Sequence, residues 1–264
     1  FGVDVLSNNG SGQFNLINNN VTGLPTGGTT GDYAAAGDFN GDGYVDICVR
    51  RQSSGDVFIN NGNGTFTEDA FNQNAVNNNK GGVLWADFDS DGDLDLFWTD
   101  NGTNQIWRND NGTLTATGEP GASAGLNLAA GNIDGVTAGD IDNDGDIDLY
   151  LANVFTTGYL FINEDPSTLS FSRPSSPTNL GINPAGDANA VSFIDYDNDG
   201  DLDLFSRTQN YPNEFRFAYQ ENNGTPQVAA FSPIAEPFGN LTIDGFDDFD
   251  IAGGNGLGVA DLDG

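Results

Sequence analysis

The chain has 264 residues, of which 37% are hydrophobic, so it can bury a sizeable core and is not a disordered acidic tail. Only 7 Lys and Arg residues stand against 39 Asp and Glu residues, and the formal net charge is -32. This charge repels phosphate backbones and anionic lipid headgroups, and no apolar run approaches about 18 residues, so we expect no nucleic-acid partner and no membrane insertion.

The distribution of residue types predicts an all-β fold. The chain holds 37 Gly residues and recurrent Asn runs, and no window shows a sustained apolar period of about 3.6 residues. Short runs that alternate apolar and polar residues, separated by turn residues, are typical of half-buried antiparallel strands. Cys48 lies in such a run, so we expect an inert core thiol, and as the only cysteine it cannot form an intrachain disulfide.

The first predicted strands lie within residues 1–32. The segment from Asp4 to Phe14 aligns without gaps on the segment from Asp56 to Phe66, which follows an Asp-rich loop later in the chain. Residues 1–32 are therefore expected to hold the third and fourth strands of a repeat unit, so that the chain begins in the middle of that unit.

Four copies of the pattern D-x-[DN]-x-D-G-x-x-D follow, and they begin at Asp38, Asp87, Asp140 and Asp195. The intervals of 49, 53 and 55 residues suit one four-stranded β-propeller blade, for which related repeats run roughly 40–50 residues. We predict a single propeller domain or segment over residues 1–264, with blades at about 33–82, 83–132, 133–187 and 188–255.

Each unit has the same predicted order of a short strand of small residues, the Asp-rich loop, and an alternating second and third strand. The predicted first strands are Tyr33–Gly37, Val83–Ala86, Val136–Gly139 and Ala190–Ile194. The second strands are Tyr44–Val49, Leu94–Trp98, Ile147–Leu151 and Leu202–Phe205. The third strands start at Val57, Ile106, Leu160 and Phe217, and the first two continue through Asn-Gly-Thr turns toward Phe66 and Leu114.

The last residues, 256–264, match a first strand and the opening half of an Asp-rich loop, so the chain is expected to end in the middle of a blade. Two interpretations stay open: a window from a longer repeat array, or a self-closed ring of five blades. The long interval before this partial repeat includes residues 241–255, which contain Asp244, Asp247, Asp248 and Asp250. This insertion is either a solvated acidic loop or an additional cation site.

The Asp-rich loops have the oxygen layout that calcium requires. Ca²⁺ takes about six to eight oxygen ligands, which such a loop delivers from positions 1, 3 and 5, from the backbone carbonyl of position 7, and from an acid at position 9. We expect four complete sites and a fifth partial one. The candidate ligands are Asp38, Asn40, Asp42, Tyr44 and Asp46; Asp87, Asp89, Asp91, Asp93 and Asp95; Asp140, Asp142, Asp144, Asp146 and Asp148; Asp195, Asp197, Asp199, Asp201 and Asp203; and Asp261 and Asp263.

The other loop positions support calcium over other interpretations. Position 6 is always Gly, as a sharp turn with positive φ requires, and the varied residue at position 7 fits a carbonyl ligand better than a side-chain ligand. These loops are not EF-hands, because position 12 lacks the bidentate Glu and the following residues alternate as a strand. Clustered carboxylates would repel each other without a cation, and transition metals would more commonly use His or Cys, of which the chain has none and one.

The segments from Ala86 to Phe97 and from Asn104 to Leu114 closely resemble the FG-GAP/VCBS repeat family, which includes the integrin α-subunit propeller. The resemblance covers nearly the whole chain and implies calcium-binding propeller blades used for adhesion or assembly. No Gly-Ala-Pro element accompanies the Phe-Gly pairs at Phe1 and Phe238, which favours the VCBS-like branch over integrin-type ligand binding.

The predicted function is a non-catalytic, calcium-stabilised module of an extracellular or cell-surface protein, because millimolar calcium is available outside the cytosol. Its expected partners are other proteins or glycans, or further copies through the blade edges. Two alternatives remain: a lectin that stacks sugars on Trp85, Trp98 or Trp107, and part of a secreted polysaccharide-degrading enzyme. The glycosylation acceptor pattern occurs at Asn20, Asn63, Asn101, Asn111, Asn223 and Asn240, where Asn-Gly turn chemistry is the other explanation for several of them.

Overall fold

The computed structural model describes residues 6–8, 10–11, 13–16, 23–24, 33–50, 54–74, 82–99, 104–117, 133–153, 158–173, 188–210, 214–224 and 231–234. Its strands are β1 (Leu6–Asn8), β2 (Phe14–Leu16), β3 (Tyr33–Gly37), β4 (Asp46–Arg50), β5 (Ser54–Asn60), β6 (Phe66–Asn74), β7 (Val83–Ala86), β8 (Asp95–Trp98), β9 (Gln105–Asn109), β10 (Leu114–Ala116), β11 (Ile133–Gly139), β12 (Asp148–Asn153), β13 (Tyr159–Asp165), β14 (Ser170–Ser172), β15 (Ala188–Ile194), β16 (Asp203–Asn210), β17 (Glu214–Asn222) and β18 (Phe231–Ile234). Within these ranges the one helical element is a 3-10 turn, Pro166–Thr168.

Sixteen of these strands form four four-stranded antiparallel sheets, and β1 and β2 form a separate hairpin. Sheet 1 consists of β3 to β6, sheet 2 of β7 to β10, sheet 3 of β11 to β14 and sheet 4 of β15 to β18. In every sheet each strand pairs with the next one along the chain, which is a meander. The all-β prediction is confirmed, and one such sheet lies within each of the four units predicted over residues 33–255, which is consistent with propeller blades.

The first strands of successive sheets contact each other, β3 with β7, β7 with β11, and β11 with β15. Gly37 ends β3, and a Cβ at this position would lie 3.0 Å from side-chain atoms of Leu94 and Trp85. A Cβ at Gly139, at the end of β11, would lie 2.6 Å from Cδ1 of Leu202. The close approach of the following sheet therefore requires glycine at the ends of β3 and β11.

The hydrophobic core consists of layers between neighbouring sheets. Sheets 1 and 2 enclose a cluster that includes Phe39, Cys48 and Trp107. Sheets 2 and 3 enclose Phe88, Phe97, Ile106, Leu149, Leu151, Phe161 and Phe171. Sheets 3 and 4 enclose Ile141, Tyr150, Ala152, Leu160, Val191 and Leu204. Since full burial of one such side chain contributes about 1.5–3 kcal/mol, these layers hold each sheet against the next.

Strand boundaries differ slightly from the sequence-based expectation. The second strands begin at Asp46, Asp95, Asp148 and Asp203, one or two residues later than predicted. The physical reason is that positions 7 and 8 still belong to the turning loop, and the backbone becomes extended only at the ninth position. Residues 256–264, including Asp261 and Asp263, and the acidic insertion at 241–255 lie outside the described residues. In the described part of the chain, no helix is long and apolar enough to cross a membrane.

Candidate metal centres

Four Asp-rich loops join the first and second strands of the four sheets. We call them Asp loops 1 to 4, covering residues 38–46, 87–95, 140–148 and 195–203, and number their positions 1 to 9. In Asp loop 3 the carboxylate of Asp140 accepts hydrogen bonds from the backbone N–H groups of Asp144 (3.1 Å) and Gly145 (2.9 Å). The same pair of bonds occurs in the other three loops. The position-1 carboxylate therefore holds each loop in a tight turn, because it binds the backbone at positions 5 and 6.

Two positions in each loop have a positive φ. The predicted glycine turn at position 6 is confirmed, since Gly43, Gly92, Gly145 and Gly200 have φ values of 88° to 98°. The second turn, at position 4, was not anticipated from the sequence; its residues are Gly41, Ser90, Asn143 and Asn198, with φ values of 58° to 69°. The available signal was that Gly and Asn tolerate this left-handed conformation better than other residues.

In Asp loops 2 and 4 the side chain at position 7 has other contacts, which agrees with the backbone carbonyl as the expected ligand there. Asp93 accepts a hydrogen bond from the backbone N–H of Asn111 at 2.7 Å. Asp201 accepts one at 2.6 Å from the side-chain amide of Asn143 in the neighbouring Asp loop. Tyr44 in Asp loop 1 is 49% exposed. These side chains link the loops to their surroundings.

The aspartate at position 9 is buried and held by two backbone groups. Asp148 is 0% exposed and accepts hydrogen bonds from the N–H of Ile141 at 3.0 Å and from the N–H of Asn163 at 2.8 Å. Asp46, Asp95 and Asp203 are equally buried and have the corresponding two donors. The position-9 carboxylate thus ties position 2 of its loop to the end of the third strand.

Burial makes ionisation of several loop carboxylates costly. It raises the pKa of Asp95 to about 7 and that of Asp148 to about 8, against the lowering effect of their backbone hydrogen bonds. Burial, together with the nearby charges of Asp144 and Asp140, raises the pKa of Asp142 to about 6. Burial also raises the pKa of Asp46. A cation within the loop would favour the ionised forms of these groups.

Three of the loops bring carboxylate oxygens together. The oxygens of Asp87, Asp89 and Asp95, those of Asp140, Asp142 and Asp148, and those of Asp195, Asp197 and Asp199 each lie within 4.8 Å of one another. Asp loop 1 differs because position 3 is Asn40, whose side-chain oxygen accepts the N–H of Asp42 at 3.0 Å. Among the described residues, carboxylate triads are thus found in Asp loops 2, 3 and 4.

The donor set of Asp loop 3 fits a hard divalent cation. The Oδ1 atom of Asp142 is buried and has no hydrogen-bond partner among the described residues. An ionised oxygen buried in this way needs a compensating positive charge. Only oxygen ligands converge there, which is the chemistry of Ca²⁺ or Mg²⁺ and not that of the softer transition metals.

Two further features near the Asp loops were not found by sequence reasoning. Arg108 on β9 forms an ion pair with Asp89 of Asp loop 2. Three buried asparagines at the ends of third strands donate side-chain hydrogen bonds to backbone carbonyls of the preceding sheet's Asp loop, and we call them the bridging asparagines: Asn109 to Phe39 (2.6 Å), Asn163 to Phe88 (2.9 Å) and Asn222 to Ile141 (2.8 Å). The recurrent Asn at this register was the available sequence signal.

Comparison with known families agrees with this architecture. The FG-GAP-like repeat model matches three overlapping segments, residues 38–98, 87–151 and 140–206, which together span well over half of the chain. The chain therefore belongs to the FG-GAP-like repeat family. No match is found among curated protein sequences.

Among the solved structures that match the chain are the following two. One is an Agrocybe aegerita lectin described by its specific recognition of non-reducing terminal N-acetylglucosamine, with 18% identity and a TM-score of 0.54 over 89% of this chain. This chain spans 60% of the length of that lectin. The other is the Photorhabdus luminescens Tc holotoxin pore, with 16% identity and a TM-score of 0.43 over 70% of this chain and 9% of that one.

Proposed function

We propose that this chain is a non-catalytic, calcium-stabilised binding module of an extracellular protein. The observation that carries the proposal is the convergence of carboxylate oxygens in Asp loops 2, 3 and 4, with the orphaned Oδ1 of Asp142 in Asp loop 3. The ligands would be the side chains at positions 1, 3, 5 and 9 and the carbonyl at position 7. When bound, the ion supplies positive charge that neutralises these carboxylates and holds the loops.

Calcium is favoured over magnesium because the loops combine many carboxylates with a flexible, turn-rich backbone. Mg²⁺ demands near-ideal octahedral geometry and keeps several waters, whereas Ca²⁺ accepts six to eight oxygens in irregular arrangements. Calcium that binds only the folded state stabilises it by an amount that rises with the logarithm of the free ion concentration above the Kd, which favours an extracellular location. The partners are proteins or glycans, or further copies of the chain through sheet edges.

The proposal predicts calcium-specific thermal stabilisation. We expect the melting temperature to fall when calcium is chelated and to recover with calcium but not with an equal concentration of magnesium. One ion at about 100 times its Kd adds about 2.7 kcal/mol, or roughly 5–10 °C for a chain of this size. Differential scanning calorimetry with EGTA, then with each ion in excess, measures the change.

Matched variants assign the effect to the Asp loops. Asp142→Asn removes one ligand carboxylate and is expected to reduce the calcium-dependent gain in melting temperature without weakening the calcium-free protein. Glu68→Gln removes the same charge from an exposed site on β6 and is expected to keep the full gain. Identical melting curves with EGTA and with calcium would refute the proposed function.

A second candidate function is glycan binding, which is favoured by two exposed aromatic side chains beside the Asp loops. Tyr44 at position 7 of Asp loop 1 is 49% exposed and Tyr196 at position 2 of Asp loop 4 is 45% exposed. Aromatic rings of this kind can stack on sugar rings. Trp98 and Trp107 are buried in the core between sheets 1 and 2. They therefore pack in the core and are not accessible for stacking on a sugar ring.

Glycan binding is tested on an array of defined glycans in the presence of calcium. If this candidate is correct, we expect binding to at least one glycan class, and a loss of at least about tenfold in affinity for Tyr44→Ala or Tyr196→Ala, since one lost aromatic contact is worth about 1.4 kcal/mol or more. Phe171→Leu, a conservative change in the buried core, is the control expected to retain binding. Equal binding by both Tyr variants would exclude these rings as the site.

A further inference from the structure

Asp loop 2 already contains a positively charged group of the protein itself. Arg108, on the third strand of sheet 2, places Nε 2.7 Å from Oδ2 of Asp89 and 3.6 Å from Oδ1 of Asp110. Its Nη2 atom lies 4.0 Å from Oδ2 of Asp91. The side chain of Asp89 is only 1% exposed, whereas that of Arg108 is 42% exposed. The guanidinium therefore caps the loop from the solvent side and pairs with a buried carboxylate.

This arrangement is specific to sheet 2. Arg108 immediately precedes Asn109, whose backbone N–H donates to the position-9 aspartate of Asp loop 2. In each of the other sheets one Asn makes the same hydrogen bond, so the residue before that Asn is equivalent to Arg108. The equivalent residues are Ile59 in sheet 1, Ile162 in sheet 3 and Glu221 in sheet 4. Two sheets thus have an apolar side chain at this register, one has an acid, and sheet 2 alone among the four has a cation there.

Asp loops 2 and 3 form the informative pair because their candidate ligands are identical in type. Both have Asp at positions 1, 3, 5, 7 and 9, and both bring the carboxylates of positions 1, 3 and 9 together. Each position-3 carboxylate has one buried oxygen without a hydrogen bond, Oδ1 of Asp142 and Oδ2 of Asp89, but only the Asp89 oxygen has a guanidinium beside it, with Nε of Arg108 at 2.7 Å. A divalent cation entering Asp loop 2 must displace this ion pair or share Asp89 with it.

We propose that Arg108 is an internal competing cation that makes Asp loop 2 a lower-affinity calcium site than Asp loop 3. This inference rests on the proposed function, because it assumes that calcium is the ion of the Asp loops. At low free calcium Arg108 neutralises Asp89, and at higher calcium the partly exposed Arg108 side chain moves out into solvent and the ion takes the place of its guanidinium. The module then responds in two stages, with Asp loop 2 filling after Asp loop 3.

The test is calcium binding by isothermal titration calorimetry on the wild-type chain and Arg108→Ile. The substitution introduces the residue that sheets 1 and 3 carry at this register, so the variant is expected to fold, and Arg108→Gln serves as a second, polar variant. In both variants we expect the binding phase of Asp loop 2, identified as the phase that Asp91→Asn removes, to tighten by about tenfold or more, because a positive charge close to the ion is removed.

Two controls assign the change to Asp loop 2. Arg173→Ile removes the same charge at the residue that follows β14, where the guanidinium lies over the ring of Tyr159. This variant is expected to leave the isotherm unchanged. Asp91→Asn disables Asp loop 2, and in that background Arg108→Ile is expected to have no effect. Unchanged binding in Arg108→Ile, or equal tightening in Arg173→Ile, would overturn the inference and leave calcium stabilisation intact. No calcium binding by any variant would overturn the proposed function and this inference together.

Discussion

The position-9 aspartates have a structural role and are at the same time candidate ligands. Each oxygen of the Asp148 carboxylate accepts one backbone N–H, from Ile141 or from Asn163. An ionised carboxylate has about four lone-pair directions, so two remain for a cation after both hydrogen bonds are made. The hydrogen bonds fix the direction of the carboxylate before an ion arrives, which reduces the ordering cost of binding.

Cys48 offers a chemical probe of the layer between sheets 1 and 2. It is 0% exposed, and burial, with a smaller contribution from the nearby Asp56 charge, raises the pKa of its thiol above the usual range. We expect very slow reaction with Ellman's reagent in the calcium-loaded protein and faster reaction after chelation, because a loosened core exposes the thiol. The urea-unfolded chain is the control and should react at once. Rapid stoichiometric labelling of the calcium-loaded chain would contradict the buried position.

At the scale of elements, the bridging asparagines connect the Asp loops in series. Phe88 donates its N–H to Asp95 and accepts the side-chain amide of Asn163, whose own N–H reaches Asp148. Asn222 repeats the connection from sheet 4 to Ile141 and Asp203. The loops of sheets 2, 3 and 4 therefore belong to one continuous hydrogen-bond chain, and each loop's geometry depends on the next sheet being in place.

Substitution Asn163→Ala should be clearly destabilising. It leaves the carbonyl of Phe88 buried without its donor, which costs about 1–3 kcal/mol in the free energy of unfolding. Asn60→Ala is the matched control, because Asn60 holds the same register in sheet 1 and its side-chain amide, among the described residues, donates to Val45 of its own Asp loop and to no other sheet. Urea unfolding in saturating calcium measures both, and equal losses would argue against a contribution from the bridge between sheets.

At the scale of the whole molecule, the repeat period was the strongest sequence signal. The spacing of Asp38, Asp87, Asp140 and Asp195 predicted the number of described four-stranded sheets, and small residues before each loop predicted the first strands. These features are local, because each depends on residues within one repeat of about 50 positions. A closed ring, and the blade assigned to both termini, stay predictions.

The features that sequence reasoning missed depend on contacts between distant or variable positions. Asn109 and Phe39 are 70 residues apart, and nothing in a linear pattern links an Asn side chain to a carbonyl in the preceding repeat. The residue type at the position of Arg108 differs between repeats, so a search for residues that recur at fixed spacing does not find it. The exposed Tyr44 and Tyr196 lie at loop positions that are variable in the same way.

Bound calcium would neutralise only part of the negative charge of the molecule. Fifteen of the 39 acidic residues occupy positions 1, 3, 5 and 9 of the four Asp loops. Four bound calcium ions would bring the formal charge from -32 to about -24, so the surface stays strongly acidic. A protein partner is therefore expected to present a basic surface, and a glycan partner to be neutral or to bind beside an ion.

The bridging asparagines also bear on how such a chain can lengthen. Each of the four repeats has an Asn at this register and a position-2 carbonyl, and at the three junctions between sheets 1 to 4 the Asn of one sheet donates to the carbonyl of the preceding one. Duplication of a single unit of about 50 residues would create a complete junction on both of its sides. The number of units can thus change by one in a single genetic event, with every new boundary already supplied with its hydrogen bond.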